Sequence, residues 1–197
     1  MDDSTPHSRR GFFREGFGRM LAPLANLIER RMDQIAAALP EESRYLRPPG
    51  AIQEEMFLQT CLRCGSCSDV CPVNAIVPLT LEEGGTSAAG TPAVIPERQA
   101  CVVCEELACM HACPSGALRL VELAEIRMGL AQLYEARCLR SNGEDCRICV
   151  EKCPLGETAI RIDQGRVDVR APGCVGCGVC EMHCPTAPRA IAVGTAS

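Results

Sequence analysis

Sixteen cysteines fall into four groups of four, and each group ends in Cys-Pro. Group one is Cys61, Cys64, Cys67 and Cys71, and group two is Cys101, Cys104, Cys109 and Cys113. Group three is Cys138, Cys146, Cys149 and Cys153, and group four is Cys174, Cys177, Cys180 and Cys184. Groups one and four read CLRCGSCSDVCP and CVGCGVCEMHCP, the Cys-x2-Cys-x2-Cys-x3-Cys-Pro spacing that wraps 4Fe-4S clusters. The first three thiolates come from one tight loop and can take three irons of one cube. The fourth is carried past that cube, and the proline after it holds it out of helical conformation. In two-cluster proteins of this spacing the fourth cysteine ligates the other cluster. Groups two and three keep the ending but widen one gap, to x4 between Cys104 and Cys109 and to x7 between Cys138 and Cys146. Four 4Fe-4S clusters held by all sixteen cysteines are therefore the expected cofactors.

Structural zinc would use two separated Cys-x2-Cys pairs per metal, and a disulfide scaffold would show varied spacings in a short secreted chain. Neither fits one spacing repeated with a proline each time. Gly65, Gly176 and Gly178 lie inside the loops, where a missing side chain lets backbone N–H groups approach cluster sulfur. His111 and His183 fall between the last two cysteines of their groups and are expected on the surface of the turn. No catalytic residue is expected.

The elements that position these loops must be built with little aromatic material. Aromatics make up 3% of the 197 residues, there is no Trp, and Tyr134 is the only aromatic after Cys61. Metal clusters take the place of a core, because binding at sites absent from the unfolded chain becomes folding free energy. The formal charge of −5 becomes about −13 once each oxidised cluster with its thiolates adds about −2. That argues against nucleic acid as a partner and for a redox protein with a basic docking face.

An internal repeat runs through the cysteine region: CPVNAI (71–76), CPSGAL (113–118), CPLGETAI (153–160) and CPTAPRAI (184–191). Each unit is expected to pack its Ile or Leu over a cluster as the chain turns into a short strand. Alternating Ile160, Ile162 and Val167, Val169 around Asp163-Gln164-Gly165 predict a β-hairpin with glycine at a positive-φ turn position. Residues 127–136 alternate as a strand leading to Cys138, residues 118–126 could be helix or strand, and 81–93 read as a Gly/Ser/Thr loop. That loop lacks the Lys-Ser or Lys-Thr of a phosphate loop, so no nucleotide is expected.

Near the N-terminus, Ser8-Arg9-Arg10-Gly11-Phe12-Phe13-Arg14 looks like a twin-arginine export motif. The apolar residues behind it recur at helical spacing from Phe13 to Leu39, with Arg19, Glu29, Arg30, Arg31 and Asp33 between them. This is an amphipathic helix rather than the bare apolar run of a signal peptide. No stretch is long and apolar enough to span a membrane, though docking to a membrane-bound partner stays open.

With these residues in view, the chain resembles the ferredoxin-type accessory proteins of periplasmic nitrate reductase and methylamine utilisation, the NapF/NapG/MauM family. The resemblance runs from Arg47-Pro48-Pro49-Gly50-Ala51 to about residue 192 and includes Phe57-Leu58, Arg127-Met128-Gly129, the two widened gaps and the final CVGCGVC. The fold it implies is α+β and ferredoxin-like. Two dicluster modules with short strands and helical turns follow the N-terminal amphipathic helix. The boundaries are a disordered tail at 1–10, the helix at 11–39, a Pro-rich linker at 40–56 and the four-cluster region at 57–197.

The related dimethyl-sulfoxide-reductase-type iron-sulfur subunits imply that group one shares clusters with group four and group two with group three. Cys61, Cys64 and Cys67 would then go with Cys184, and Cys174, Cys177 and Cys180 with Cys71. Likewise Cys101, Cys104 and Cys109 would go with Cys153, and Cys138, Cys146 and Cys149 with Cys113. The hairpin between groups three and four looks instead like the link inside a simple two-cluster ferredoxin, so pairing of one with two and three with four stays open.

The expected function is electron transfer between donor and acceptor oxidoreductase subunits of a respiratory or molybdoenzyme-type system, with no substrate site of the chain's own. The alternative is an accessory factor that assists cofactor loading of a molybdoenzyme. A carrier should keep its redox activity without residues 1–45, whereas a maturation factor should lose its partner. The interrupted apolar run places the chain in the cytoplasm, with twin-arginine export to the periplasm as the alternative.

Overall fold

The computed structural model describes residues 45–195. The expected tail, the amphipathic helix and the twin-arginine-like motif lie outside the described residues. What is described is a small mixed fold of short helices and three two-stranded antiparallel sheets.

Two halves follow the same plan. In the first, α1 (Glu54–Thr60) leads into group one and α2 (Ser66–Asp69) holds its third cysteine. Strand β1 (Ile76–Pro78) follows group one and pairs with β2 (Pro92–Val94), with α3 (Leu81–Ala88) between them. Group two carries α4 (Ala108–His111), and Leu118 beyond it bridges back to Ala51 ahead of group one.

The second half repeats this. Strand β3 (Gly129–Leu133) precedes group three, α5 (Ile148–Glu151) holds its third cysteine, and β4 (Ile160–Asp163) pairs with β5 (Arg166–Val169). Group four carries α6 (Val179–Met182), and β6 (Ile191–Thr195) returns to pair with β3. In each half an outer pair ties start to end while an inner pair links the two cysteine groups.

The repeat read from the sequence marks the hinge of each unit. Its Ala and its Ile or Leu are all buried: Ala75 and Ile76, Ala117 and Leu118, Ala159 and Ile160, Ala190 and Ile191. Small and branched apolar residues suit a strand start that must be covered at once. The β4–β5 turn is made by Gln164 and Gly165 at φ +46° and +81°, the left-handed pair that a two-residue hairpin requires.

Residues 45–56, expected as part of a linker, are built into the fold. Leu46 pairs its backbone with Val94, and Pro48 and Pro49 are fully buried; prolines lack an N–H and leave no donor to satisfy there. Arg47 locks the segment down. Its guanidinium lies 4.5 Å from the Phe57 ring centre and 4.9 Å from that of Tyr45. It donates to Glu54 at 2.7 Å and, at 2.8 Å each, to Thr91 and the Pro92 carbonyl.

Residues 81–93 also differ from the expected loop. Thr80 accepts from the Glu83 N–H at 3.3 Å while the Glu83 carboxylate accepts from the Thr80 N–H at 2.9 Å. This reciprocal box starts α3, and Gly85 at φ +60° kinks it. Residues 118–126 are mainly irregular, with a single 3-10 turn at Leu123–Glu125.

Candidate iron-sulfur sites

Each third cysteine sits in a one-turn helix: Cys67 in α2, Cys109 in α4, Cys149 in α5 and Cys180 in α6. Helix α2 packs on α4, and α5 packs on α6. Groups one and two therefore face each other, as do groups three and four.

The fourth cysteine of every group crosses to the facing one. Cys61, Cys64, Cys67 and Cys113 line one cavity of about 310 Å³, which we term set I. Burial raises the Cys67 thiol, and the charges of Cys61 and Cys113 add to it. Set II is Cys101, Cys104 and Cys109 with Cys71: burial pushes Cys101 up to about 11, with Cys109, Cys104 and Cys71 reinforcing the shift.

Set III is Cys138, Cys146 and Cys149 with Cys184. Here burial pushes Cys149 up to about 11, and those three neighbours add to it. Set IV, formed by Cys174, Cys177 and Cys180 with Cys153, lines a second pocket. Cys177 is pushed up to about 12 by burial and then by Cys101, Cys153 and Cys174.

This arrangement departs from a pairing of group one with four and two with three. The physical reason is local. The short β1–α3–β2 and β4–β5 connections turn the chain back within each half, so a group meets its sequence neighbour first.

Backbone N–H groups point at sulfur in repeated positions. Arg63 donates to Cys61 and Val103 to Cys101, each at 3.4 Å. Both donors sit at positive φ, +54° and +52°, a costly conformation for a β-branched Val. Crossing cysteines receive amides from their own repeat: Ala75 to Cys71 at 3.2 Å, Leu118 to Cys113 and Ala190 to Cys184 at 3.4 Å each. Hydroxyls stand close too, Ser66 at 3.4 Å from Cys64 and Thr186 at 3.3 Å from Cys184. Ser66 and Thr186 each stand two residues past a cysteine, a spacing that could have flagged them; the Arg63 and Val103 backbone donors carry no signal of that kind.

Gly65, Gly176 and Gly178 all have positive φ, but their surroundings differ. A Cβ on Gly65 would meet nothing within 4 Å, whereas one on Gly176 would lie 2.3 Å from the Gly129 backbone. Gly178 would strike Pro96 at 2.6 Å. Gly176 thus permits close backbone packing within the second half, and Gly178 permits ring packing against Pro96 of the first. His111 and His183 are exposed. Glu181 is buried, and its carboxylate accepts from the Val193 N–H at 2.7 Å, pinning α6 to β6.

Among the described residues, no three His, Cys, Asp or Glu side chains converge tightly enough to hold a single metal ion. Tetrahedral zinc would need thiolates about 3.8 Å apart. Four thiols around a space, with amides directed at their sulfurs, suit a polynuclear cluster in which each iron takes one thiolate.

The 4Fe-4S dicluster domain family matches residues 60–117, the stretch that contains groups one and two. The chain is 36% identical over 171 residues to the methylamine utilization ferredoxin-type protein MauM of Paracoccus denitrificans, covering 81% of this chain and 75% of that protein. It is 37% identical over 162 residues to the ferredoxin-type protein NapG of Escherichia coli, covering 75% and 69%. Its identity to the ferredoxin-type protein NapF of Escherichia coli is 29% over 150 residues, covering 73% and 82%. No solved structure matches.

Proposed function

Because the chain belongs to the ferredoxin-type family of the MauM and NapG proteins, we propose that it relays single electrons between redox partners through four 4Fe-4S clusters. The partners are donor and acceptor subunits of a respiratory or molybdoenzyme-type oxidoreductase system. A bound cluster supplies one-electron oxidation and reduction without making or breaking a substrate bond. Sets I to IV are its ligands, and the chain has no substrate site of its own.

One observation carries this reading: sixteen thiols, scattered over 124 positions of sequence, gather into four sets of four. Hydrogen bonds from Arg63, Val103, Ala75, Leu118 and Ala190 withdraw negative charge from sulfur and make reduction easier. Strong negative charge on the loaded protein favours partners with a basic face.

The same reading places the protein in the cytoplasm, since Glu29, Arg30, Arg31 and Asp33 interrupt the apolar run behind Arg9-Arg10. A reporter fused after residue 44 should stay inside intact cells; its export would move the protein to the periplasm.

Anaerobic reconstitution tests the function. About sixteen irons per chain and a low-temperature paramagnetic signal after dithionite are expected. Far fewer irons with no signal would end this reading. Steady reduction and reoxidation by a partner marks a carrier, whereas loss of clusters to the partner would mark a loading factor.

A further inference from the structure

We propose that the four sets form a single line in the order I, II, IV, III, and that electrons cross between the two halves at Cys101 and Cys177. This inference rests on the four-cluster reading. It runs against the order of the groups along the chain.

Three contacts establish the line. Within the first half, α2 packs on α4, so Cys67 of set I stands next to Cys109 of set II. In the second half α5 packs on α6, which brings Cys149 of set III to Cys180 of set IV. Between the halves, the Cys101 N–H donates to the Cys177 carbonyl at 3.1 Å. That bond joins a ligand of set II to a ligand of set IV without any intervening side chain.

The junction is tightly built. The Ala100 N–H lies 3.3 Å from the Met182 sulfur, and Gly178 admits Pro96. Within the second half the same loop is held in place, where the Met128 N–H donates to the Val175 carbonyl at 2.9 Å and Gly176 lies directly on Gly129. Val175, Cys177 and Val179 of group four belong to the same apolar cluster as Phe57, Cys67 and Cys109 of the first half. Group three contributes no residue to that cluster, and its buried Cys138 packs instead with Ile160, Cys184 and Ile191.

Sets I and III are consequently the two ends. Cys64 of set I is the one exposed cysteine of the sixteen. Each step moves one electron, oxidising one set as its neighbour is reduced, with no bond or proton change. A reduced redox protein supplies the electron at one end and an oxidised one removes it at the other.

Magnetic interaction between reduced clusters tests the order in the full-length chain. Cys61→Ala, Cys64→Ala, Cys146→Ala and Cys149→Ala together leave sets II and IV. Cys61→Ala, Cys64→Ala, Cys174→Ala and Cys180→Ala leave sets II and III. Each protein should hold about eight irons. With II and IV, the reduced electron paramagnetic resonance spectrum should be split and broadened relative to the sum of the two single-set spectra. With II and III it should equal that sum.

Splitting in the II and III protein, or simple addition in the II and IV protein, would overturn the order. Serine at the same positions provides a second series of variants that fills the space of the thiol. Overturned order with about sixteen irons in the unaltered protein leaves the electron-transfer reading standing; low iron there sinks that reading instead.

Discussion

A cysteine that crosses between groups makes ligand sets separable by substitution. Cys113 stands with Cys61, Cys64 and Cys67, so Cys113→Ala and Cys61→Ala should remove the same cluster. The double variant is then expected to lose about four irons, no more than either single one, whereas Cys113→Ala with Cys104→Ala should lose about eight. Iron and acid-labile sulfide analysis reads the difference, and additive loss in the first pair would refute the ligand sets. Protonation matters at this scale as well. Burial pushes Cys101, Cys109 and Cys149 up to about 11 and Cys177 to about 12. The ligand is the thiolate, so the neutral form that burial favours competes with iron, and every bound thiol must release its proton. Below these values, cluster uptake should strengthen as pH rises, by up to tenfold per unit for each proton released. Visible cluster absorbance during reconstitution from pH 6.5 to 8.5 should therefore climb; a flat profile would mean that the thiols are already ionised.

Single positions fix how the elements pack. Gly176 meets Gly129 backbone to backbone, so Gly176→Ala adds a methyl 2.3 Å from main-chain atoms at φ +73°. It should cost about 2–4 kcal/mol. Gly143→Ala, with nothing within 4 Å at φ +94°, should cost only about 1 kcal/mol of left-handed strain. Bleaching of cluster absorbance in guanidinium should shift to lower denaturant for the first variant and barely for the second. Equal shifts would show that close approach at Gly176 does not matter. Helix α3 is a milder case. Thr80→Ala removes the reciprocal cap with Glu83 and should cost about 1 kcal/mol, seen as faster amide exchange within α3 alone.

For the whole molecule, stability and function share one source. Among the described residues the aromatics are Tyr45, Phe57 and Tyr134, and Phe57 alone is fully buried. The remaining core is aliphatic or sulfur-bearing: Ala, Val, Ile, Leu, Met and the cysteines themselves. Oxidative removal of iron with a chelator should therefore abolish most strand signal in far-ultraviolet circular dichroism; retention of the native spectrum would show that the polypeptide folds without its metal. Much of this was legible in the primary structure. The cysteine spacing pointed to 4Fe-4S chemistry because few sites other than a cubane need three thiols in one turn of loop and a fourth farther on, followed at once by a proline. The Gln164-Gly165 hairpin and the four Ala-Ile or Ala-Leu hinges were legible too, since both are local and each obeys a backbone or burial rule of its own. The Thr80 cap is equally local, but the run of Gly, Ser and Thr that follows it reads as a loop. Spacing along a chain says how many ligands each loop offers but not which loop it faces. That choice fell to the tertiary structure, through the turn-back of β1–β2 and β4–β5, the packing of α2 on α4 and α5 on α6, and the meeting of Cys101 with Cys177. Those are long-range contacts between backbones, and no residue type announces them.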